Sequence, residues 1–331
     1  MSTLHLLRHA EAQWQAPGPG GDHARRLSAR GIVQARGVGE HLRGAGIELI
    51  LASSATRTMQ TAEALGLGVP IWSSDAIYNA GDVVLQSGRT FTGMKIAYKT
   101  WGTLNADRSN VIVYPTSFSA QHHDTQWLIR EGGILDPTRH FVIIPNLFGN
   151  GLSSSPSNTP WPLTGDRYPD VTYHDAVRVQ RRLLAEVFGV QRVACVYGWS
   201  MGAQQAYHWA AAFPGAVERI VAVCGSAKTA VHNQVFLRGL LAVLEAAPEY
   251  LGEGRFSAEP VKTLRAFARI YAGWALSQDY YRAGLHLATE ADLESFLQTQ
   301  WDARWALRKA ANLYAQALCW HAGDISDNTL H

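Results

Sequence analysis

Residues 198–202 read Gly-Trp-Ser-Met-Gly, with the apolar run Arg192-Val-Ala-Cys-Val-Tyr197 leading in and Ala203-Gln-Gln-Ala-Tyr-His-Trp209 leading out. The segment reads as a strand, a sharp turn and a helix, with Ser200 at the apex. A serine placed there sits in a strained bend, and flanking residues without a Cβ let strand and helix approach closely around it. That makes Ser200 the candidate nucleophile. The competing reading is a chance glycine-rich strand-to-helix turn.

The chain has 331 residues, more than one core usually holds, so one large domain or two smaller ones is expected. Hydrophobic residues make up 47% and charged ones 17%, the balance of a globular chain with an ample core. A net charge of +2 with scattered Lys and Arg leaves no footprint for a nucleic-acid partner. Cys195, Cys224 and Cys319 are an odd set, two of them in or at the ends of expected buried strands, and they read as reduced core thiols. Arg8 interrupts the apolar N-terminus, so no secretory segment is expected. No uncharged apolar run approaches the roughly 18 residues of a membrane span. A cytoplasmic location and no membrane partner are expected.

Residues 3–7 read as a short strand ending at Arg8-His9. A Pro/Gly loop follows at 16–21, then a helix capped by Ser28 and running to about Arg43. A second strand, Ile47 to Leu51, leads into Ser53-Ser-Ala-Thr-Arg-Thr-Met-Gln-Thr61 and another helix. Over residues 3–71 this resembles the opening half of a histidine phosphatase of the phosphohistidine-phosphatase type. The resemblance implies that Leu7-Arg-His-Ala-Glu11 holds a phosphate-accepting His9, with Arg8 and Arg57 clamping phosphoryl oxygens through their planar guanidinium groups. It stops near Ile71, before the later histidine and acidic proton donor that complete such a pocket. Residues 1–75 are therefore expected to be a partial segment in which Arg8, His9 and Arg57 are vestigial.

From residue 79 the pattern is βα throughout, with strands expected at 91–98, 110–114, 140–145, 193–197 and 219–224 and helices from about 234 to 312. Such apolar strands alternating with helices predict a parallel sheet covered on both faces. Trp274, Trp301, Trp305 and Trp320 are expected to pack a helical lid over about 230–320. His122-His123-Asp124 reads as a cap or surface group, since adjacent residues at a helix start point in different directions and no third ligand stands near; no metal is expected. Gly149-Asn-Gly151 is a turn, without the spacing or the lysine of a phosphate loop.

Five separated motifs then keep one order: Ala97-Tyr-Lys-Thr-Trp-Gly-Thr-Leu-Asn105, Asp136-Pro-Thr-Arg-His-Phe-Val-Ile-Ile-Pro-Asn146, Gly149-Asn-Gly-Leu-Ser-Ser-Ser155, Val171-Thr-Tyr-His-Asp175 and the Ser200 turn. Together they resemble the homoserine O-acetyltransferase-like α/β-hydrolases over residues 79–331. The resemblance implies an α/β-hydrolase fold with a mostly parallel sheet and a helical lid, and an acyl-enzyme on Ser200. It also implies acetyl-CoA as acyl donor, a small hydroxyl compound as acceptor, a place in methionine biosynthesis, no bound cofactor, and a homodimer among the assemblies to be considered. Trp199, Ala203 and Tyr114-Pro-Thr-Ser117 depart from the transferases and leave water open as acceptor, hence a plain hydrolase. The oxyanion donors would be the backbone N–H groups of Met201 and Thr116.

A serine hydroxyl is a poor nucleophile unless a histidine takes its proton and a carboxylate orients that histidine. In this fold the acid and then the histidine follow the serine, on loops after later strands. No apolar strand run follows 219–224, and the chain ends Gly323-Asp-Ile-Ser-Asp-Asn-Thr-Leu-His331, where the family continues into the strands bearing both. The final strands and the triad Asp and His are thus expected to be absent. His208, inside the helix after the turn, and His232, His286 and His321, in the lid, are expected as surface or core residues, and His331 as a fraying terminus. An edge stripped of its last strands should invite aggregation or a partner. Two other readings stay open: a catalytically inactive fusion of two truncated domains, and phosphohistidine phosphatase activity through His9.

Overall fold

The computed structural model describes residues 7–13, 26–48, 50–52, 56–69, 71–73, 76–159 and 167–326. They fall into two compact units, Met1–Ile77 with Ala97–Lys99, and Tyr78–Ile96 with Thr100–His331.

The first unit contains α1 (Ala29–Leu42), β1 (Ile50–Ala52), α2 (Thr56–Ala64) and β2 (Ile71–Ser73). Ser28 caps α1, its hydroxyl accepting from the Gly31 N–H at 3.0 Å, which satisfies one of the orphan donors of the first turn. β1 and β2 pair in parallel, Ile50 opposite Ile71 and Ala52 opposite Ser73. Of the strand expected at 3–7, only Leu7 is among the described residues; the Pro/Gly loop at 16–21 lies outside them.

The second unit is built on a six-stranded sheet. Its strands are β3 (Ile77–Val84), β4 (Thr90–Trp101), β5 (Val111–Val113), β6 (Phe141–Pro145), β7 (Cys195–Trp199) and β8 (Ile220–Val223), in the spatial order β3-β4-β6-β5-β7-β8. β5 pairs in parallel with both β6 and β7, and β7 with β8. Every residue of β5 and β6 is buried, which is why both read as uninterrupted apolar runs: a strand covered on both faces has no polar side. Sequence reading opened the sheet at Phe91 and passed over β3, because Asn79, Gly81 and Asp82 break its apolar alternation and look like a turn.

Between β5 and β6 lies the short helix α3 (His122–Thr125), and between β6 and β7 lies α4 (Tyr173–Phe188). A reciprocal cap starts α4: the Asp175 N–H donates to the Thr172 hydroxyl at 3.3 Å and the Thr172 N–H to the Asp175 carboxylate at 3.0 Å. Helix α5 (Met201–Ala212) follows β7 directly. Strand order reverses around β5, so the loops leaving the carboxyl ends of β5 and β7 lie side by side, where open α/β sheets place their ligands.

After β8 come α6 (Val231–Glu245), the ribbon β9 (Tyr250–Gly252) and β10 (Arg255–Phe256), α7 (Val261–Ala275), α8 (Gln278–Arg282), α9 (Leu293–Phe296), a π-helical turn at Leu297–Asp302, α10 (Ala303–Trp305) and α11 (Ala310–His321). The Arg269 guanidinium forks onto Asp302 and Glu294 at 2.7–3.1 Å, pinning α7 to the π turn and to α9. Phe118, from the loop after β5, sits among Phe267, Tyr271, Trp305 and Trp320 with ring centroids 5.6–6.3 Å away. The end of α11 is strapped to the loop after β8: the Thr229 N–H donates to the Gly323 carbonyl at 2.8 Å, and Lys228 pairs with Asp324 at 2.5 Å.

The cysteines correct the sequence reading. Cys319 is buried and burial pushes its thiol well above the usual range, and Cys195 is half-buried, but Cys224 is exposed. Cys224 takes a φ of 54° just after β8, which turns it out of the sheet.

Candidate active site

Ser200 links β7 to α5 with φ 54° and ψ −121°, a backbone region that a non-glycine residue occupies only under constraint. The constraint comes from three directions. The Ser200 N–H donates to the Val223 carbonyl at the end of β8 at 2.8 Å, and its carbonyl accepts from Ala203 and Gln204 at 2.9 and 3.1 Å. A Cβ on Gly198 would lie 2.1 Å from the Gly202 carbonyl oxygen, and one on Gly202 would lie 2.5 Å from that of Pro115. Strand, helix and the loop after β5 thus meet in backbone contact, and only glycine fits at either point.

Met201 is the first residue of α5, so its N–H has no acceptor within the helix and sits at the positive end of the helix dipole. The Ser117 hydroxyl, on the loop after β5, donates to the carbonyl of Trp199 at 2.6 Å, strapping that loop to the residue before Ser200. Thr116, fully buried, accepts from the Leu147 N–H on its hydroxyl at 2.9 Å. The Thr116 N–H, named from sequence as an oxyanion donor, donates to the Pro145 carbonyl at 3.3 Å. Among the described residues, the Ser117 N–H and the Ser200 hydroxyl form no hydrogen bond. Ser200, Met201 and Thr116 are therefore brought together, and Ser117 and Phe118 join them. No spacing rule marked those last two.

Around this loop lies a dense buried polar network. The His122 N–H and the Asn150 amide both donate to the Asn146 Oδ1 at 3.0 Å, which leaves the Asn146 Nδ2 to donate to His122 Nδ1 at 3.0 Å. His122 Nδ1 is then an acceptor and the neutral ring carries its proton on Nε2. Asp124 caps the start of α3, accepting from the Gln121 N–H at 2.9 Å. His122-His123-Asp124 thus serves the scaffold, and among the described residues no cluster of three His, Cys, Asp or Glu could hold a metal.

The histidines weighed from sequence as bases engage other groups. His208 is buried on α5; its Nδ1–H donates to the Gln204 carbonyl at 2.9 Å, and burial holds its pKa below the usual value. His232 packs on Trp274 and His286 on Tyr281 and Phe296, and partial burial lowers the pKa of His321. His331 lies outside the described residues.

In the first unit, the His9 Nδ1–H donates to the Ala10 carbonyl at 2.8 Å, which leaves the ring lone pair on Nε2. The Thr61 hydroxyl accepts from the Ala10 N–H at 3.1 Å and donates to the Arg57 carbonyl at 2.7 Å, so the His9 segment and the Arg57 turn of α2 share one hinge residue. Arg8 is exposed.

A glycine-flanked serine on a strand–helix bend, beside a loop from the neighbouring parallel strand, defines the α/β-hydrolase class. The family model described as alpha/beta hydrolase fold matches residues 129–309, and that of the histidine phosphatase superfamily (branch 1) matches residues 4–101. The chain is 34% identical over 256 residues to an ethyl acetate hydrolase from Pseudomonas veronii, covering 76% of this chain and 73% of that one. To a homoserine O-acetyltransferase from Thermobifida fusca it is 32% identical over 187 residues, 51% of this chain and 48% of the relative. The solved structure of the acetyl esterase MekB superimposes with a TM-score of 0.73 at 33% identity, covering 76% of this chain and 74% of that one. The chain belongs to the α/β-hydrolase fold family, in its homoserine O-acetyltransferase-like branch, and carries a histidine-phosphatase segment at its N-terminus. Among the described residues, no helix is long and apolar enough to cross a membrane.

Proposed function

We propose that residues 79–331 form a serine-dependent acyl-transfer domain in which Ser200 is acylated by a small ester and the acyl group passes to water. The carrying observation is the strained Ser200 backbone at the apex of the β7–α5 bend. Acyl transfer and hydrolysis share every step except the second nucleophile, and the esterase relatives, of which more of the chain is covered than of the transferase, favour water. Acetyl-CoA as donor and a small hydroxyl compound as acceptor belong to the transferase form of the same reading. The oxyanion would be met by the Met201 N–H and by the loop at Thr116–Ser117. A fluorophosphonate probe should label the wild-type chain on Ser200 and leave Ser200→Ala unlabelled. Absence of label on the wild type overturns the reading.

Two further readings each have an observation behind them. Among the described residues no hydrogen bond joins Ser200 to His208, His232, His286 or His321, which supports a catalytically silent domain and is tested by the same labelling experiment. The orientation of His9, with Nδ1–H spent on a backbone carbonyl, supports a phosphoryl acceptor in residues 1–75, with Arg8 and Arg57 as its clamp. That reading fails if no phospho-His9 forms and no generic phosphoester is turned over.

A further inference from the structure

Behind the Ser200 bend, a line of buried side chains runs from α4 into α5. Gln205 is fully buried one turn beyond Met201, and its Nε2 donates to two backbone carbonyls, Thr116 at 3.1 Å and Met201 at 3.3 Å. Its Oε1 accepts from the Gln180 Nε2 at 2.7 Å, and the Gln180 Oε1 accepts from the Trp209 indole N–H at 2.8 Å. Gln180 and Trp209 are each 1% exposed.

The polarity of this line is set by chemistry. An indole nitrogen only donates, so Gln180 must turn its oxygen to Trp209 and its amide nitrogen to Gln205. Gln205 must then present its oxygen to Gln180 and both N–H groups to the two carbonyls, which only accept. A flip of either amide would leave two donors or two acceptors facing each other in a site without water-scale exposure, at a cost of about 1–3 kcal/mol for each buried group left unmade.

The two carbonyls belong to the two residues beside which an oxyanion would bind. The peptide joining Thr116 to Ser117 is planar and trans, so anchoring the Thr116 oxygen on Gln205 aims the Ser117 N–H the opposite way, out of the core. The Thr116 N–H is occupied by Pro145, whereas the Ser117 N–H, on the peptide that Gln205 holds, is left for a ligand. Pro115 and Gly202 are in backbone contact, and the Ser117 hydroxyl holds Trp199, so the same peptide is fixed against the bend from its other side.

We infer that Gln205 is a positioning residue: by holding the Thr116 carbonyl it aims the Ser117 N–H, and by bonding the Met201 carbonyl as well it ties that peptide to the first turn of α5, whose leading N–H is that of Met201, so that both groups can receive the oxyanion. This rests on the acyl-transfer reading of Ser200. It gives the buried Gln180–Trp209 pair a part in that chemistry, as the element that keeps the Gln205 amide from turning.

The test uses the full chain and Gln205→Met, which keeps the side-chain length and removes both donors, with Gln205→Glu as a second variant that keeps the shape and removes the amide nitrogen. With p-nitrophenyl acetate, kcat and the rate of fluorophosphonate labelling should fall together by about ten-fold or more while KM stays within about two-fold, as when an interaction made only in the transition state is lost. A crystal structure of either variant should show the 116–117 peptide rotated. A peptide that keeps its orientation without the Gln205 amide overturns the inference, whether or not the wild-type chain turns over an ester. A rotated peptide in a chain whose wild type is never labelled supports the positioning role and overturns the acyl-transfer reading instead. Equal losses in kcat and stability with an unmoved peptide overturn the inference, because packing alone then accounts for them.

Discussion

At the residue scale, Ser200 shows how function is written against stability. Its φ of 54° and ψ of −121° cost a non-glycine residue on the order of 1–3 kcal/mol, and the hydroxyl gives nothing back through a hydrogen bond among the described residues. Ser200→Gly removes that strain but gains unfolded-state entropy, a loss of about 0.5–1 kcal/mol. The first effect is the larger, so the variant should be more stable by roughly 1 kcal/mol in urea unfolding while losing all fluorophosphonate labelling. An unchanged or lower stability would show that the bend is not strained. The bend could be read from sequence because sterics dictate it: Gly198 and Gly202 stand where a Cβ would meet backbone oxygen at 2.1 and 2.5 Å. Gln205 could not, since a glutamine on a helix reads as a solvated face, and only the meeting of α4, α5 and the loop after β5 buries it. Ser117 was hidden for a related reason: the family motif pointed to its neighbour, and the orientation of one peptide decides between them.

At the scale of elements, what was legible followed burial. β5 and β6 are apolar along their whole length because both faces are covered, whereas β3 carries Asn79, Gly81 and Asp82, and the β9–β10 ribbon is too short to set a period. The strap between α11 and the loop after β8 was invisible for a third reason, since it joins residues nearly a hundred positions apart through an ion pair and backbone hydrogen bonds. There the Lys228 ammonium and the Ser326 hydroxyl and N–H lower the Asp324 pKa from 3.8 to about 2. A carboxyl depressed in the folded state contributes stability that is fully present above its unfolded pKa and is lost as pH falls through the folded one. The stability gap between wild type and Asp324→Asn should therefore be open at pH 5 and close as pH falls from about 4 to about 2. Urea unfolding of both proteins at several pH values reads this directly, and a gap independent of pH would show that the strap is held by its backbone bonds alone. Because Lys228 is 69% exposed, high salt should narrow the gap at pH 5 as well.

At the scale of the whole molecule, the sheet of the second unit ends at β8 on a surface that suits association. The β7–β8 register sets Tyr197 beside Val221 and Trp199 beside Val223, so with Cys195 these five side chains share one face. The face is covered where Leu128 and Leu135 pack over Ile112, Tyr114 and Tyr197, and it opens toward the edge, where Trp199 is 43% and Val221 42% exposed. Among the described residues β8 pairs only with β7, so its outer N–H and C=O groups add a template for another strand to the exposed apolar side chains. With neither a lysine nor a proline in Ile220–Val223, this parallel-sheet edge lacks the charge and the ring that discourage such pairing, and only its shortness opposes it. The chain should therefore self-associate in a concentration-dependent way, with sedimentation at tens of micromolar giving a weight-average mass above the 36.3 kDa of one copy. Val221→Lys places a charge at the centre of the edge, where pairing would have to desolvate it, and should bring the mass back toward that of one copy without shifting the unfolding midpoint by more than the few tenths of a kcal/mol typical of exposed positions. A wild-type chain that sediments as one copy at all concentrations would mean that this face is covered in solution by residues of the chain itself.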